Sequence, residues 1–155
     1  MIGSELAELL ESPCSLIVGT VDARLLPDAS RAWGNEVIDD RHVRVLLSTQ
    51  AEVTRRNVEH GGAIAVTATH FSTFESVQLK GHAMSVEEAT PADRIRFDRY
   101  CAGAARAIAE SDGTPEELVM RFMTADIYAC TMSVEAVFDQ TPGRSAGNQL
   151  APEAS

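Results

Sequence analysis

The stretch LLSTQAEVTRRNVEHGGAIAV, Leu46 to Val66, reads as strand, helix, strand. It completes the apolar run HVRVLLS (42–48), turns into a helix of about nine residues that Gly61 and Gly62 end, and resumes as AIAVTATHF (63–71), rich in the small and β-branched residues of a strand. Thr49 and Glu52 fit the pattern that starts a helix: a hydroxyl for an orphan backbone N–H and an acid three positions on. Capping leaves Thr54, Arg55 and Arg56 unexplained, because the first turns of a helix disfavour cations by roughly a few tenths of a kcal/mol. Two readings stand for them, a solvated helix face and a grip on a phosphate at a strand end beside a helix start.

Working outward, SELAELLES is a short amphipathic helix, capped by Ser4 and stopped by Pro13. SLIVGTV (15–21) is a strand apolar on both parities, ARLLPD a turn, and ASRAWGNEVI (29–38) a strand paired with 42–48 through the Asp39-Asp40 turn. In FESVQLKGHAMSVEE (74–88), Val77, Leu79 and Ala83 alternate with Gln78, Lys80 and His82, with a bulge or bend at Gly81. Thr90-Pro91-Ala92-Asp93 and Thr114-Pro115-Glu116-Glu117 each announce a helix. The first carries Phe97, Cys101, Ala104 and Ile108 on one stripe and an Arg94–Asp98 pair elsewhere on its surface. DIYACTMSVEAVF (126–138) is a last long strand, and DQTPGRSAGNQLAPEAS a turn-rich tail. Helix, three strands, helix, two strands, two helices, strand is an order for a mostly antiparallel sheet, closed or nearly closed into a barrel, rather than a doubly wound parallel one.

With 155 residues and 45% apolar content, the chain makes one domain with a real core. Its 23 acids against 13 bases, net −10, argue against a nucleic-acid or anionic-membrane surface. Lys80 is the single lysine, which we read as compositional bias. Cys14, Cys101 and Cys130 are odd in number and widely spaced, so neither a disulfide framework nor a zinc cluster is indicated, and a reducing cytoplasm is expected. No apolar run approaches the ~18 residues of a membrane span.

G-x-S-x-G, H-E-x-x-H, G-x-x-x-x-G-K and G-x-G-x-x-G are all absent, which removes the basis for a triad, a zincin or a nucleotide triphosphatase. His42, His60, His70 and His82 have no ligand spacing, although His70 and His82 sit on successive strands and could meet across a ladder. SRAWG puts Arg31 and Trp33, the one Trp, on the same strand parity before Gly34. Trp33 is there either as barrel packing, or because Gly34 lets the backbone approach a flat ligand.

In their order and spacing, PDASRAWG (27–34), LLSTQAEVTRRNVEHGGAIAV (46–66), SVQLKG (76–81) and VFDQTPG (137–143) resemble the FMN-binding split-barrel superfamily, the pyridoxamine 5′-phosphate oxidase-like proteins, over about residues 4 to 145. The resemblance implies a mainly β fold: a six-stranded antiparallel split β-barrel with peripheral helices over 1–145, a flexible tail over 146–155, and a homodimer with FMN in a groove at the subunit interface. It implies that Arg31, Ala32, Trp33 and Gly34 lie beside the flavin, with Arg31 a phosphate contact, and that Ser48 and Thr49 supply hydroxyl and backbone contacts. The following helix offers Thr54, Arg55 and Arg56: the family's Lys or Arg falls at Thr54 with Asn57 in register, and at Arg55 after a one-residue shift. Ser76 and Gln78 correspond to a later strand that reaches the cofactor, from the partner subunit in one reading.

Members that oxidise pyridoxamine phosphate have a C-terminal Trp and Arg-rich segment, whereas FDQTPGRSAGNQLAPEAS has Arg144 alone. The resemblance therefore implies a flavin-dependent oxidoreductase acting on an unknown small molecule, not pyridoxamine phosphate oxidase activity. Two alternatives remain open: a deazaflavin-dependent reductase, and a haem- or ligand-binding module without redox turnover, suggested by the missing Lys and by His70 and His82.

Overall fold

Alternation along each strand decides which side chains meet. In β1 (Cys14–Val21), Cys14, Leu16, Val18 and Thr20 are buried, and their neighbours face outward. The same rule puts Val43, Val45 and Leu47 of β3 (His42–Ser48) and Ile64, Val66 and Ala68 of β4 (Ala63–His70) into one core. With β2 (Pro27–Val37), β5 (Ser76–Glu88) and β6 (Ile127–Asp139), the strands form a closed barrel in the order β1-β2-β3-β6-β5-β4, every neighbouring pair antiparallel. Closure gives every strand a partner on both sides over part of its length. Helices α1 (Ser4–Glu11), α2 (Glu52–Glu59), α3 (Pro91–Asp112) and α4 (Glu116–Phe122) fall where the sequence predicts them. This is a computed structural model, and it describes residues 2–150. None of its helices is long and apolar enough to cross a membrane. Cys14, Cys101 and Cys130 are free and buried.

Two irregularities shape the barrel. At Gly81 the pairing of β5 with β6 shifts register, and a Cβ there would overlap the Ser133 carbonyl oxygen, so the predicted bulge is one that only glycine permits. The second is a split: β1 and β2 pair only from Ile17–Arg31 to Val21–Pro27, and beyond Arg31 β2 stays with β3 alone, through a bulge between Ala32 and Asn35. Helices α1 and α3 both pack against β2.

One end of the barrel is plugged by α2. Thr54, fully buried, donates to Asp28 Oδ2 at 2.6 Å and meets the Ser30 hydroxyl at 2.9 Å, while Asn57 Nδ2 donates to Thr20 Oγ1 at 3.0 Å. The helix ends as Gly61-Gly62 predict: Gly61 takes φ +66°, its N–H donates to Val58 and that of Gly62 to Asn57. Its start differs from the expectation. Ala51, not Thr49, precedes the first turn, and no side chain caps it. Thr49 is held instead on the rim by its N–H, which donates to the Asp126 carbonyl at 2.8 Å.

Thr114 and Ser4 likewise do not cap. Pro115 precedes α4, Thr114 donates its N–H to the Asp112 carboxylate that α3 leaves behind, and Gly3 precedes α1. Thr90 is a true cap, with the reciprocal Thr90–Asp93 bonds of a capping box. The Phe97–Ile108 stripe of α3 packs as predicted. The expected Arg94–Asp98 pair does not form among the described residues; Arg96 instead pairs with Glu36 at 2.8 Å. The segment after β6 turns back along that strand, Leu150 N–H donating to Val137 and Asp139 N–H to Asn148, so residues 146–150 are tied to the barrel. Residues 151–155 of the expected tail lie outside the described residues.

Asp93 fastens α3 to the sheet. It is 1% exposed and takes a forked pair of bonds from Arg44 at 2.9 and 2.8 Å, which hold its carboxyl well below the usual carboxylate range. A carboxylate depressed in the folded state stabilises the fold above its unfolded pKa of about 3.9, and that contribution fades as pH falls further. Asp93→Asn should thus cost about 3 kcal/mol near neutral pH, since it leaves Arg44 short of its partner. Urea midpoints should fall for the native chain as pH drops below about 4, with this component missing in the variant. Parallel pH profiles for the two would refute the assignment. Thr54→Val should destabilise by about 1–3 kcal/mol in thermal unfolding, with most of the loss recovered in Thr54→Ser.

Candidate functional site

The outer face of the barrel divides into a covered and an uncovered part. Leu46, Ile127 and Ala129 face outward on β3 and β6 yet are buried, covered by Trp33, Phe97 and their neighbours; the Trp33 and Phe97 ring centroids lie 5.9 Å apart. Below this cover, the register of Ala32 with Leu47 sets Arg31 beside Ser48, both pointing outward. Arg31 and Trp33 then line a cavity of about 490 Å³ whose other wall is α4, with Leu118, Phe122 and Met123. A smaller niche of about 270 Å³ lies between Ala29 and Ser30 of β2, the residues before Arg31, and the β3–α2 turn at Gln50 and Ala51, with Asp28 and Glu52 also on its wall.

Arg31 has no ion pair or hydrogen bond among the described residues, whereas Arg24, Arg44, Arg55 and Arg96 all hold carboxylates. Its strand neighbours Ala29 and Trp33 and its cross-strand partner Ile17 bring no acid to it. The Ser48 hydroxyl accepts from Gln50 N–H at 3.2 Å. With Ala51 at its start, α2 leaves its first backbone N–H groups without a side-chain cap beside the smaller niche. An unpaired guanidinium, hydroxyls and uncapped amides are the donor set for a phosphate or carboxylate.

The remaining sequence candidates are distributed differently. Ala32 is fully buried and points into the core. Gly34 takes φ +132°, and a Cβ there would stand 3.3 Å from Leu46 Cδ1 and close to Tyr100 and Arg96 of α3, so its need for glycine comes from backbone and helix packing. The hydroxyl of Thr54 is committed to Asp28 and Ser30. Arg55 leans the other way around α2: it pairs with Glu59 at 2.8 Å and lies over the Tyr128 ring. Arg56 is exposed, its carbonyl accepting from His60 Nδ1 at 2.6 Å.

Ser76 and Gln78 are elsewhere on the wall. Arg31, Ile17, Thr67 and Gln78 are successive register partners on β2, β1, β4 and β5, which sets Gln78 three strand spacings, roughly 14 Å, from Arg31. Gln78 Nε2 donates to Thr67 Oγ1 at 2.8 Å, and Ser76 Oγ lies 2.9 Å from Thr69 Oγ1. Ile17 and Thr67 stand between the two groups; beside this row Gly19, Ala29, Ala63 and Ala65 line an open groove of about 690 Å³, together with Val21, Pro27, Lys80 and His82.

The histidines stay apart. His82 is paired in register with Ala63 and His70 with Cys14, at opposite ends of β4, so the two do not meet across a ladder. His82 pairs with Glu135 and His42 with Asp39, each at 2.8–2.9 Å. No group of residues able to hold a metal ion occurs among the described residues. The sequence analysis missed α4 as a wall of the site. Its signal was present in EELVMRF, where Leu118, Met120 and Phe122 leave too many apolar side chains exposed for a helix packed on one face.

No family model and no curated protein matches the sequence. Solved structures do. An F420 reductase is similar at a TM-score of 0.56 and 19% identity, over 84% of this chain and 93% of the other. An FMN-binding protein from Syntrophomonas wolfei is similar at 0.52 and 16%, over 90% and 89%. HutZ, the heme storage protein from Vibrio cholerae, is similar at 0.52 and 18%, over 89% and 94%. The closed antiparallel barrel, its split and its four helices give this chain the fold of the split-barrel, pyridoxamine 5′-phosphate oxidase-like proteins.

Proposed function

We propose that the protein is a homodimeric flavoprotein that binds FMN and serves as an oxidoreductase on a small molecule. The observation that carries this reading is the unpaired Arg31 beside Ser48, at the junction of an apolar cavity under Trp33 and α4 with the uncapped start of α2. The donor set fits the group: Arg31, the Thr49 hydroxyl and the first N–H groups of α2 would take the ribityl phosphate, and Trp33 with α4 would flank the ring system. Bound FMN would supply the hydride or electron chemistry. The chain's residues bind and orient it and keep water from one side of it. Arg55 and Arg56 would act as secondary cations, because Arg55 already serves Glu59 and Arg56 points to solvent.

The same geometry favours a dimer. Ser76 and Gln78 sit about three strands from Arg31, across Ile17 and Thr67, beyond the reach of one ligand on one chain. A second copy seated on the small-residue groove would bring its own Ser76 and Gln78 to the first copy's Arg31. The separation of His70 from His82 removes one of the two sequence features that suggested a haem module.

Titration with FMN, with the deazaflavin F420 and with haem under identical conditions tests the reading, alongside light scattering for mass. FMN should bind with micromolar or tighter affinity to a species of twice the chain mass. Arg31→Ala should weaken that binding by about ten- to a hundredfold, as expected for a charged hydrogen-bond donor, and Arg55→Ala by less than about threefold. Preferential uptake of F420, or a Soret band without flavin uptake, would replace FMN by that ligand. A monomer that binds flavin tightly would remove the shared site.

A further inference from the structure

Helix α4 carries two apolar stripes, and only one of them is used inside the chain. Val119 and Met123, one turn apart, are buried against Cys101, Ala104 and Ala105 of α3. Leu118 and Phe122, also one turn apart, are 43% and 76% exposed, although both line the cavity of about 490 Å³ whose other side is Arg31 and Trp33. Full burial of a Leu or Phe side chain is favourable by about 1.5–3 kcal/mol, so a stripe left open forgoes much of that. A helix of seven residues has little intrinsic stability to set against the loss. The stripe faces a space of ligand size, since small-molecule sites run from about 300 to 1,000 Å³.

The composition of the wall restricts what can enter. Arg31 is the one charged residue among those lining the cavity, and no acid lines it, in a chain with 23 acids. Its one hydroxyl, that of Thr114, faces the Asp112 carboxylate and holds it below the usual carboxylate range. In the reading given under Proposed function, on which this inference rests, Arg31 is taken by the flavin phosphate. A further charged molecule would then find no counter-charge: a cation would meet no acid, and an anion would meet the phosphate. An ion left unpaired in such surroundings costs several kcal/mol. Trp33 and Phe122, on the two sides of the cavity, favour a ring instead, each aromatic contact adding about 0.5–1.5 kcal/mol beyond its area. We propose that the Leu118–Phe122 wall of α4 selects the substrate, and that the substrate class is an uncharged, flat, conjugated molecule held against Phe122 in the Arg31 cavity. Leu118 and Phe122 touch that molecule and determine specificity; they move no proton or electron.

Calorimetric titration of the full chain at neutral pH, with and without saturating FMN, tests it with three probes: naphthol, its saturated analogue decahydronaphthol, and naphthoate. Naphthol should bind the FMN-loaded protein saturably, at least tenfold more tightly than either of the others, and should shift the visible absorption of the bound flavin. Phe122→Ala should weaken naphthol at least threefold, as loss of one aromatic contact predicts, without lowering the thermal unfolding midpoint, because the ring is exposed. Ile95→Ala, which removes an exposed apolar side chain of α3 outside the cavity, should leave naphthol binding unchanged. If the chain takes up no FMN, the flavin reading falls by itself: naphthol binding without FMN that weakens in Phe122→Ala still supports the apolar wall, and no such binding overturns it. If FMN binds, the inference is overturned, with the flavin reading intact, when naphthol is excluded, binds no better than naphthoate, or leaves the flavin spectrum unchanged. A fall to half the mass in Phe122→Ala by light scattering assigns the stripe to a contact between copies and overturns it as well.

Discussion

The 2.6 Å hydrogen bond from the buried Thr54 hydroxyl to Asp28 holds together the parts on which any function must rest. A six-stranded barrel is closed around its wall but open at its ends, and one end is covered by a helix of only eight residues. Such a helix has little intrinsic stability and must be fastened by tertiary contacts. Here the fastening is polar: Asp28, Ser30 and Thr20 occupy inward positions of the barrel end, and Thr54 and Asn57 meet them. Hydrogen bonds are directional, so they fix the rotation of α2 about its axis as well as its depth. That rotation turns Arg55 toward Glu59 and Tyr128 and Arg56 toward solvent, and it fixes the β3–α2 turn next to Arg31.

Charge placement then sets Arg31 in particular surroundings. Arg56 and Arg99 stand exposed without an ion pair among the described residues, while Arg24, Arg44, Arg55 and Arg96 hold carboxylates. Arg31 does not, because its ladder neighbours are Ala29, Ile17 and Trp33 and the facing strand end offers a serine. An arginine surrounded by apolar and small residues is less screened than one among acids, and an anion beside it interacts more strongly. The lack of acids applies to Arg31's own ladder neighbours, since Asp28 and Glu52 line the niche beside it.

Much of this architecture is legible in the residues, and the misses share a cause. The Gly61-Gly62 stop, the Gly81 bulge and the Thr90-Pro91 start are read correctly because each reports a backbone requirement satisfied within a few residues. Thr49 and Thr114 look like the same signal as Thr90, yet their N–H groups are held by Asp126 and Asp112, and the cap positions fall at Ala51 and Pro115. A cap pattern shows that a Thr could serve; the partner that holds Thr49 instead comes from a distant strand start, and that of Thr114 from the end of the preceding helix. Thr54 is the clearer case. Its hydroxyl looks like a phosphate ligand as long as Asp28, 26 residues away, is out of view. Conversely Arg31 could be chosen from its strand parity, but its lack of a partner is visible only once the neighbouring strands are in register.

The fold alone leaves the ligand open, since proteins described as FMN-binding, as an F420 reductase and as a heme storage protein share it at under 20% identity. On the outer wall this chain has an unpaired cation at one end and an amide about three strands away, with Ile17 and Thr67 between them. Beside that row Gly19, Ala29, Ala63 and Ala65 line an open groove whose rim carries Lys80, His82 and Glu135, and among the described residues no helix contributes to it. In the proposed reading the identity of the ligand and the oligomeric state are linked questions, because a second copy on that groove would cover its small side chains and would join the two halves of the wall.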